Sequence, residues 1–390
     1  MRALQGIRVL ALEHAVAAPL CTRHLADLGA EVIKIERPDG GDFARNYDRF
    51  VHGQSSFFVW LNRGKRSITL DLKHPDAAPV LAALVARSDV VVQNLAPGAA
   101  ARLGLAHAAL APAHPGLIVC DISGYGESGP YARKKAYDLL IQAESGLISV
   151  TGSADAPSRV GISAADIATG MYAQSAVLAA LFRRARDPAG RGANVAVAML
   201  DALAEWMTYP MYRLAYGGQE LPRVPTSHPA LAPYGAHRTG DGEVIFGLQN
   251  EREWAVFCTA VMGDAALAAD PRFCTMAART AHRAALTAVI EARFATLRSV
   301  EVVALLDAAG IANGRLNNAG DLWAHPQLAA RDRWREIGTP GGRVRALLPA
   351  VRFADQEAAM GDVPALGADT DAVLGELGFD VAALRAAGAA

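Results

Sequence analysis

The sequence predicts an α/β chain built on an open, largely parallel β-sheet, and three observations carry that prediction. The first is that a short apolar run, IRVLAL, a helical stretch, LCTRHLADLG, and a second apolar run, EVIKIERP, follow one another within the first 38 residues. The second is that the alternation then repeats through SITLDL, DAAPVLAALVARS, DVVVQN and GLIVCDISGYG. The third is composition: 390 residues, 52% hydrophobic and 20% charged, are enough to bury a large core. Strand, helix and strand in about thirty residues form a βαβ unit, which pairs its strands in parallel through a right-handed crossover. Gly29 follows the first helix as a C-terminal stop. In open sheets of this kind ligands bind beyond the carboxyl ends of the strands.

Further along, the stretch RVGISAADIATGMYAQSAVLAALFRR places Ile167, Met171, Leu178, Leu181 and Phe182 at spacings built from threes and fours, the period of a buried helix face. The segment RDPAGRGANVAVAMLDALAEWM then gives a Pro/Gly break, a short strand and another helix. The Pro- and Gly-rich stretch YGGQELPRVPTSHPALAPYGAHRTGDGEVIFGLQNEREW changes character, and RTGDGEVIFGL reads as a hairpin turning at Asp241 and Gly242. Helical stretches TAHRAALTAVIEARFATL and SVEVVALLDAAG follow, and the tail from about Trp323 mixes helices with short strands. The expected organisation is a large Rossmann-like domain over residues 1–205, a smaller α+β domain over 206–325, and a segment over 326–390 returning to the large domain.

A net charge of −1 gives no electrostatic pull toward nucleic acid or a membrane surface, so an anionic ligand must be met by local charges. Neither a signal peptide nor an uncharged apolar run of about 18 residues is read, so a cytoplasmic chain without a membrane partner is expected. Cys21, Cys120, Cys258 and Cys274 are far apart and form no CxxC pair, and the ten histidines form no HExxH. No metal is expected.

One carboxylate stands out. Asp166 lies in the first turn of the apolar helix, and Ser163 three residues earlier fits a capping pair in which each side chain bonds the other's backbone N–H. The helix dipole at that position also keeps a carboxylate ionised, and an ionised carboxylate is a possible covalent nucleophile. Cap and nucleophile both stand as readings of Asp166. The first βα turn is EHAVAAP and not GxGxxG, so a pyrophosphate cradle is missing, although Glu36 imitates the acid that holds a ribose. Arg37, Lys73, Asn94 and Arg102 fall at or just beyond predicted strand ends, where together they could hold a phosphorylated nucleotide and singly are ordinary surface groups.

In their order and spacing, the segments GIRVLALEHAVAAPLCTRHLADLGAEVIKIERPDGGDFAR, NRGKRSITLDLK, VVQNLAPGAAARLGL, ISGYGESGPYARKKAYD and VGISAADIATGMYAQSAVLAALFRR resemble the class III CoA-transferases. That family includes formyl-CoA, carnitine and several dicarboxylate CoA-transferases, with α-methylacyl-CoA racemases as close relatives. The resemblance covers nearly the whole chain and implies that Asp166 is the catalytic aspartate. It implies that coenzyme A, a substrate and not a tightly bound cofactor, is held by the Val16 and Ala17 backbone, Arg37, Leu70 to Lys73, Asn94, Leu95 and Arg102. Lys135, Tyr137 and Asp138 would close over the pantetheine and acyl group. Val16 stands where the family has a glutamine.

The implied mechanism is ping-pong transfer through an aspartyl anhydride and an aspartyl-CoA thioester, with backbone N–H groups or Tyr137 as oxyanion donors. The related racemases use a His–Asp pair where this chain has Tyr137 and Asp138, and tyrosine is a poor proton shuttle at neutral pH, which favours the transferase. SHPALAPYGAH, stiffened by Pro229 and Pro233, differs from the glycine-rich loop of the formyl enzymes. QNEREW resembles the branch acting on mesaconate, itaconate, citramalate or succinate. His228, Arg45 and Arg223 are candidates for holding a second carboxylate, and surface or structural roles stand beside that reading. The resemblance further implies a homodimer of two interlocked chains. A non-catalytic CoA-binding protein is the alternative of a different class.

Overall fold

The computed structural model describes all 390 residues. The first elements are β1 (Arg8–Leu12), α1 (Ala17–Asp27), β2 (Glu31–Glu36), α2 (Ser56–Asn62), β3 (Lys65–Thr69), α3 (Ala77–Ala86) and β4 (Val90–Gln93). Two single-turn helices, α4 (Ala99–Arg102) and α5 (His107–Leu110), lead to β5 (Ile118–Ser123). Then come α6 (Asp138–Glu144), α7 (Leu147–Val150), the long α8 (Ala164–Arg186), β6 (Ala193–Ala198), α9 (Met199–Trp206) and α10 (Thr208–Gly217). The six strands pair in the order β3-β2-β1-β4-β5-β6, every pair parallel. This is the doubly wound arrangement that the βαβ opening predicts, and its order reverses between β1 and β4.

Both faces of the sheet are covered, as alternate side chains of each strand require. Val9 and Ala11 of β1, with Val90 and Val92 of β4, pack against Cys21 and Leu25 of α1 and Ala173 and Val177 of α8. Leu10, Leu12 and Val91 point the other way, onto Val80, Leu81 and Leu84 of α3. Helix α8 is long and apolar enough to cross a membrane by length and composition, yet its small residues form this core. Gly29 ends α1 at φ 101°, the left-handed backbone for which glycine suits the stop.

The contacts divide the chain into two units, residues 1–147 with 159–209 and 330–390, and residues 148–158 with 210–329. In the second unit β7 (Tyr234–Arg238), β8 (Glu243–Gly247) and β9 (Asn313–Arg315) form an antiparallel sheet. The β7–β8 hairpin closes at Thr239, whose N–H bonds the Gly242 carbonyl at 2.8 Å. Helices α11 (Glu251–Val256), α12 (Met276–Ala281), α13 (Arg283–Phe294) and α14 (Ser299–Ala308) accompany it, with Phe246, Trp254, Phe257 and Phe294 in the core, and the exposed α15 (Ala319–Trp323) follows.

After α16 (Pro326–Ala330), the hairpin β10 (Trp334–Thr339) and β11 (Gly342–Leu347) packs Ile337 against Phe58 and Val59 of α2. Helices α17 (Thr370–Glu376) and α18 (Val381–Ala386) bring Val373, Leu374 and Leu384 into the core on the α3 face of the main sheet. The Thr370 hydroxyl accepts the Thr69 N–H at 2.9 Å, so α17 is fastened to the end of β3.

Candidate active site

The carboxyl ends of β1 and β4 flank the point where the strand order reverses, and the chain leaving β1 is held there from several sides. The Asn94 side chain accepts the His14 N–H at 2.9 Å and donates to the His14 carbonyl at 2.9 Å. Asp42 accepts the Ala15 N–H at 3.2 Å, and Ala15 adopts the left-handed φ of 62° that alanine seldom takes. Beneath this turn is a fully buried set of charges. The Glu13 carboxylate meets Lys65 at 2.6 Å, the Thr22 hydroxyl at 2.6 Å and Lys34 at 3.3 Å, and Lys34 also meets Asp42 at 2.8 Å. Burial alone would raise Glu13, but Lys65 and Lys34 more than offset it and hold the carboxyl below its usual range.

Helix α1 starts at Ala17, whose N–H has no partner within the helix and donates to the Asp166 carboxyl in the first turn of α8. One turn further along α8, a Cβ on Gly170 would stand 2.6 Å from the Ala17 carbonyl oxygen. The glycine lets the two helices approach closely enough for that contact.

The charge state and the capping of Asp166 both differ from the sequence expectation. Burial, and next the negative charge of Asp138, push the Asp166 carboxyl up to about 7, and the Ala17 N–H opposes them only in part. The helix dipole is therefore outweighed. Ser163 occupies the N-cap position of α8 but its side chain makes no capping bond. Asp138 at the start of α6 supplies the cap: its Oδ1 accepts Ala165 N–H at 2.8 Å and Asp166 N–H at 3.4 Å.

A row of aromatic side chains includes Tyr47, whose phenol lies near the Asp166 carboxyl. His14 stacks on Phe43 at 5.4 Å between centroids, Phe43 leans on Tyr47 at 5.8 Å, and Tyr47 meets the edge of Phe57 at 5.4 Å. The Tyr47 phenol is pushed up to about 12 by burial and by the nearby charges of Asp42 and Asp166, with Tyr137 a further neighbour. Burial lowers His14, which favours a neutral ring. Val16, Leu20, Leu61 and Ile167 form an apolar floor with Phe57. Tyr47 and the buried charges are absent from the sequence reading. A lysine inside the apolar run EVIKIE and an acid directly after IRVLAL were the available signs of the charges. Tyr47 carried no sign.

Of the expected coenzyme A ligands, Arg37, Lys73, Arg102 and Lys135 are exposed. The first three lie beyond the carboxyl ends of β2, β3 and β4, along one edge of the sheet. The Val16 and Leu70 side chains are buried in the core, the Val16 carbonyl accepts the Leu20 N–H at 2.8 Å, and the Leu70 N–H donates to the Glu36 carbonyl at 2.9 Å. Leu95 is half-buried and bonds Gln93 Oε1 through its N–H. The Asn94 amide oxygen and nitrogen each make one bond to the His14 backbone, which leaves one acceptor and one donor position on the amide. In Asp138, Oδ1 caps α8 and Oδ2 accepts from Gln142 at 2.8 Å. Tyr137 is 65% exposed and points no bond into the protein from its position before α6, so its phenol is open to a ligand.

Two candidates for a second carboxylate are accounted for elsewhere. Arg45 forms a double hydrogen bond to Glu36 at 2.7 and 2.8 Å, which also removes Glu36 from any ribose-binding role. Arg223, in the second unit, donates to the carbonyls of Ser149, Ser153 and Ala154. His228, in the same unit, stacks on Tyr234 at 5.3 Å and accepts the Ala230 N–H through Nδ1.

Comparison with known proteins gives a consistent picture. The model of CoA-transferase family III matches residues 4–370. An acyl-CoA transferase of Fusarium pseudograminearum is 36% identical, with 98% of this chain and 86% of that protein covered. The succinyl-CoA:glutarate CoA-transferase of Mus musculus is 34% identical over 91% of this chain and 81% of its own length. A crystal structure of a CAIB/BAIF family protein from Brucella suis superposes with a TM-score of 0.85 at 34% identity, covering 96% of this chain and 99% of the other.

Proposed function

The chain belongs to CoA-transferase family III and acts as a CoA-transferase, and from that premise we propose that it moves coenzyme A from an acyl-CoA to a small dicarboxylate through covalent adducts on Asp166. The observation that carries the proposal is the Asp166 carboxyl in the first turn of α8, reached by the Ala17 N–H, bordered by Tyr47 and placed beyond the carboxyl end of β1. The dicarboxylate preference is supported by the relative that acts on glutarate.

In this mechanism the ionised Asp166 attacks the donor's thioester carbonyl carbon and expels the CoA thiolate, leaving a mixed anhydride. The thiolate attacks the Asp166 Cγ and expels the donor acid as its carboxylate, leaving an aspartyl-CoA thioester. The acceptor carboxylate attacks that thioester to give a second anhydride and free thiolate. Thiolate attack on the acceptor's carbonyl carbon then releases the new acyl-CoA and the Asp166 carboxylate. The Ala17 N–H and the Tyr137 phenol are the donors proposed for the developing oxyanions. Arg37, Lys73, Arg102 and Lys135 are the proposed contacts for the coenzyme A phosphates. A homodimer is proposed as the working form, supported by the exposed Tyr212, Leu214 and Tyr216 on α10.

The test is incubation with succinyl-CoA and a panel including glutarate, mesaconate, itaconate and citramalate, with CoA esters followed by mass spectrometry. New dicarboxylyl-CoA esters are expected, together with an acyl or CoA adduct on Asp166 by peptide mass. A folded Asp166→Ala protein that still exchanges CoA at the wild-type rate refutes the nucleophile.

A further inference from the structure

Three donors converge on the carboxylate of Asp138, and none of them is a cation. Ala165 and Asp166 present their backbone N–H groups to Oδ1 at 2.8 and 3.4 Å, and Gln142 Nε2 reaches Oδ2 at 2.8 Å. Gln142 is fully buried. Its Oε1 accepts the Val160 N–H at 2.9 Å and its Nε2 also lies 3.2 Å from the Ile162 carbonyl. Asp138 and Gln142 thus fasten the strand of chain entering α8, and the first turn of α8 itself, to α6. An asparagine would keep an acceptor oxygen for that turn. What it lacks is the charge.

We propose that Asp138 is the positioning residue of the nucleophile: its carboxylate fixes the first turn of α8 and sets a negative charge beside Asp166 that disfavours the free carboxylate relative to its acylated forms. The inference rests on Asp166 being the nucleophile. Acylation removes the charge of Asp166, so a fixed neighbouring anion raises the energy of the resting carboxylate but not of the anhydride or thioester. The same arrangement leaves a more basic attacking oxygen.

The groups facing Asp166 are few. From α1 comes the Ala17 N–H, and from α6 the Asp138 carboxylate. The turn after Asp42 contributes the Tyr47 phenol. On the α9 side, Glu205 bonds Tyr172, not Asp166. The charge of Asp138 therefore meets no counterion at the carboxyl it acts on.

The experiment compares Asp138→Asn, neutral and able to cap through its Oδ1, and the neutral Asp138→Ser with wild type and with Asp138→Glu. The pH dependence of kcat/KM is measured with succinyl-CoA and glutarate, alongside the fraction of adduct by intact mass. The acid limb, near pH 7 in wild type, should fall by about one pH unit in both neutral variants, and the adduct fraction by about tenfold, with Asp138→Glu recovering part of each. Unchanged limbs in folded neutral variants overturn the proposal, because a cap alone would leave the profile in place. Should the variants not fold, ¹³C NMR titration of the Asp166 carboxyl in wild type decides. Titration in the ordinary carboxylate range, or near 7 without a second inflection where Asp138 ionises, overturns the proposal, and titration near 7 with that inflection upholds it. That readout is independent of catalysis, so it separates this inference from the nucleophile reading, which Asp166→Ala tests.

Discussion

Asp166 has to attack as an anion, yet it sits where burial and a second carboxylate favour its proton. Its carboxyl is held at about 7 against an ordinary 3.8, so between those values the folded protein binds a proton that the unfolded chain does not. Stability contributed by this group is present at low pH and is lost as the pH rises toward 7. We therefore expect Asp166→Asn to melt higher than wild type at pH 8, with the gap closing below about pH 4, as read by circular dichroism. The position of Asp166 was legible in the residues around it, because an acid at the head of an apolar helix is conspicuous. Its ionisation was not, since that depends first on burial and then on Asp138, 28 residues away in sequence. Arg45 and Arg223 teach the same lesson: side-chain chemistry is written in the sequence, but the partner that engages it is not.

Two helices and a glycine decide the geometry of the site. The period of apolar residues identified α8 and its core-facing character, and Gly29 marked the end of α1. The crossing of these helices was not legible, because Gly170 reads in sequence as one more small residue in an alanine-rich run. Its role follows from the 2.6 Å approach of its would-be Cβ to the Ala17 oxygen, a backbone atom that cannot rotate away. Gly170→Ala should destabilise the protein by about 1–3 kcal/mol through overpacking. It should also lower kcat by moving the Ala17 N–H off Asp166. Urea unfolding and steady-state kinetics check the two effects, and a variant of wild-type stability and rate would contradict this account of the α1–α8 contact. The capping of α8 was misread for a related reason. A local pair, Ser163 and Asp166, satisfied the pattern, while the actual acceptor came from another helix.

At the scale of the whole chain, alternating strands and helices revealed the parallel sheet, and its order follows from right-handed crossovers. Less legible was the completion of the core on the α3 face by Leu374 and Leu384, some three hundred residues from the strands they cover. Composition also concealed the buried charges under the β1 turn, because Glu13, Lys34 and Lys65 count in a sequence as ordinary surface residues. In a packed interior such ions persist only when they satisfy one another. The Asn94 clamp on His14 joins the two halves of the sheet where they diverge. It has a consequence on the clock of solvent exchange: the amides of His14 and Ala15, although in a loop, should take up deuterium as slowly as the strands. Asn94→Ala should quicken the exchange at His14, and mass spectrometry of the peptide spanning β1 and α1 would time it.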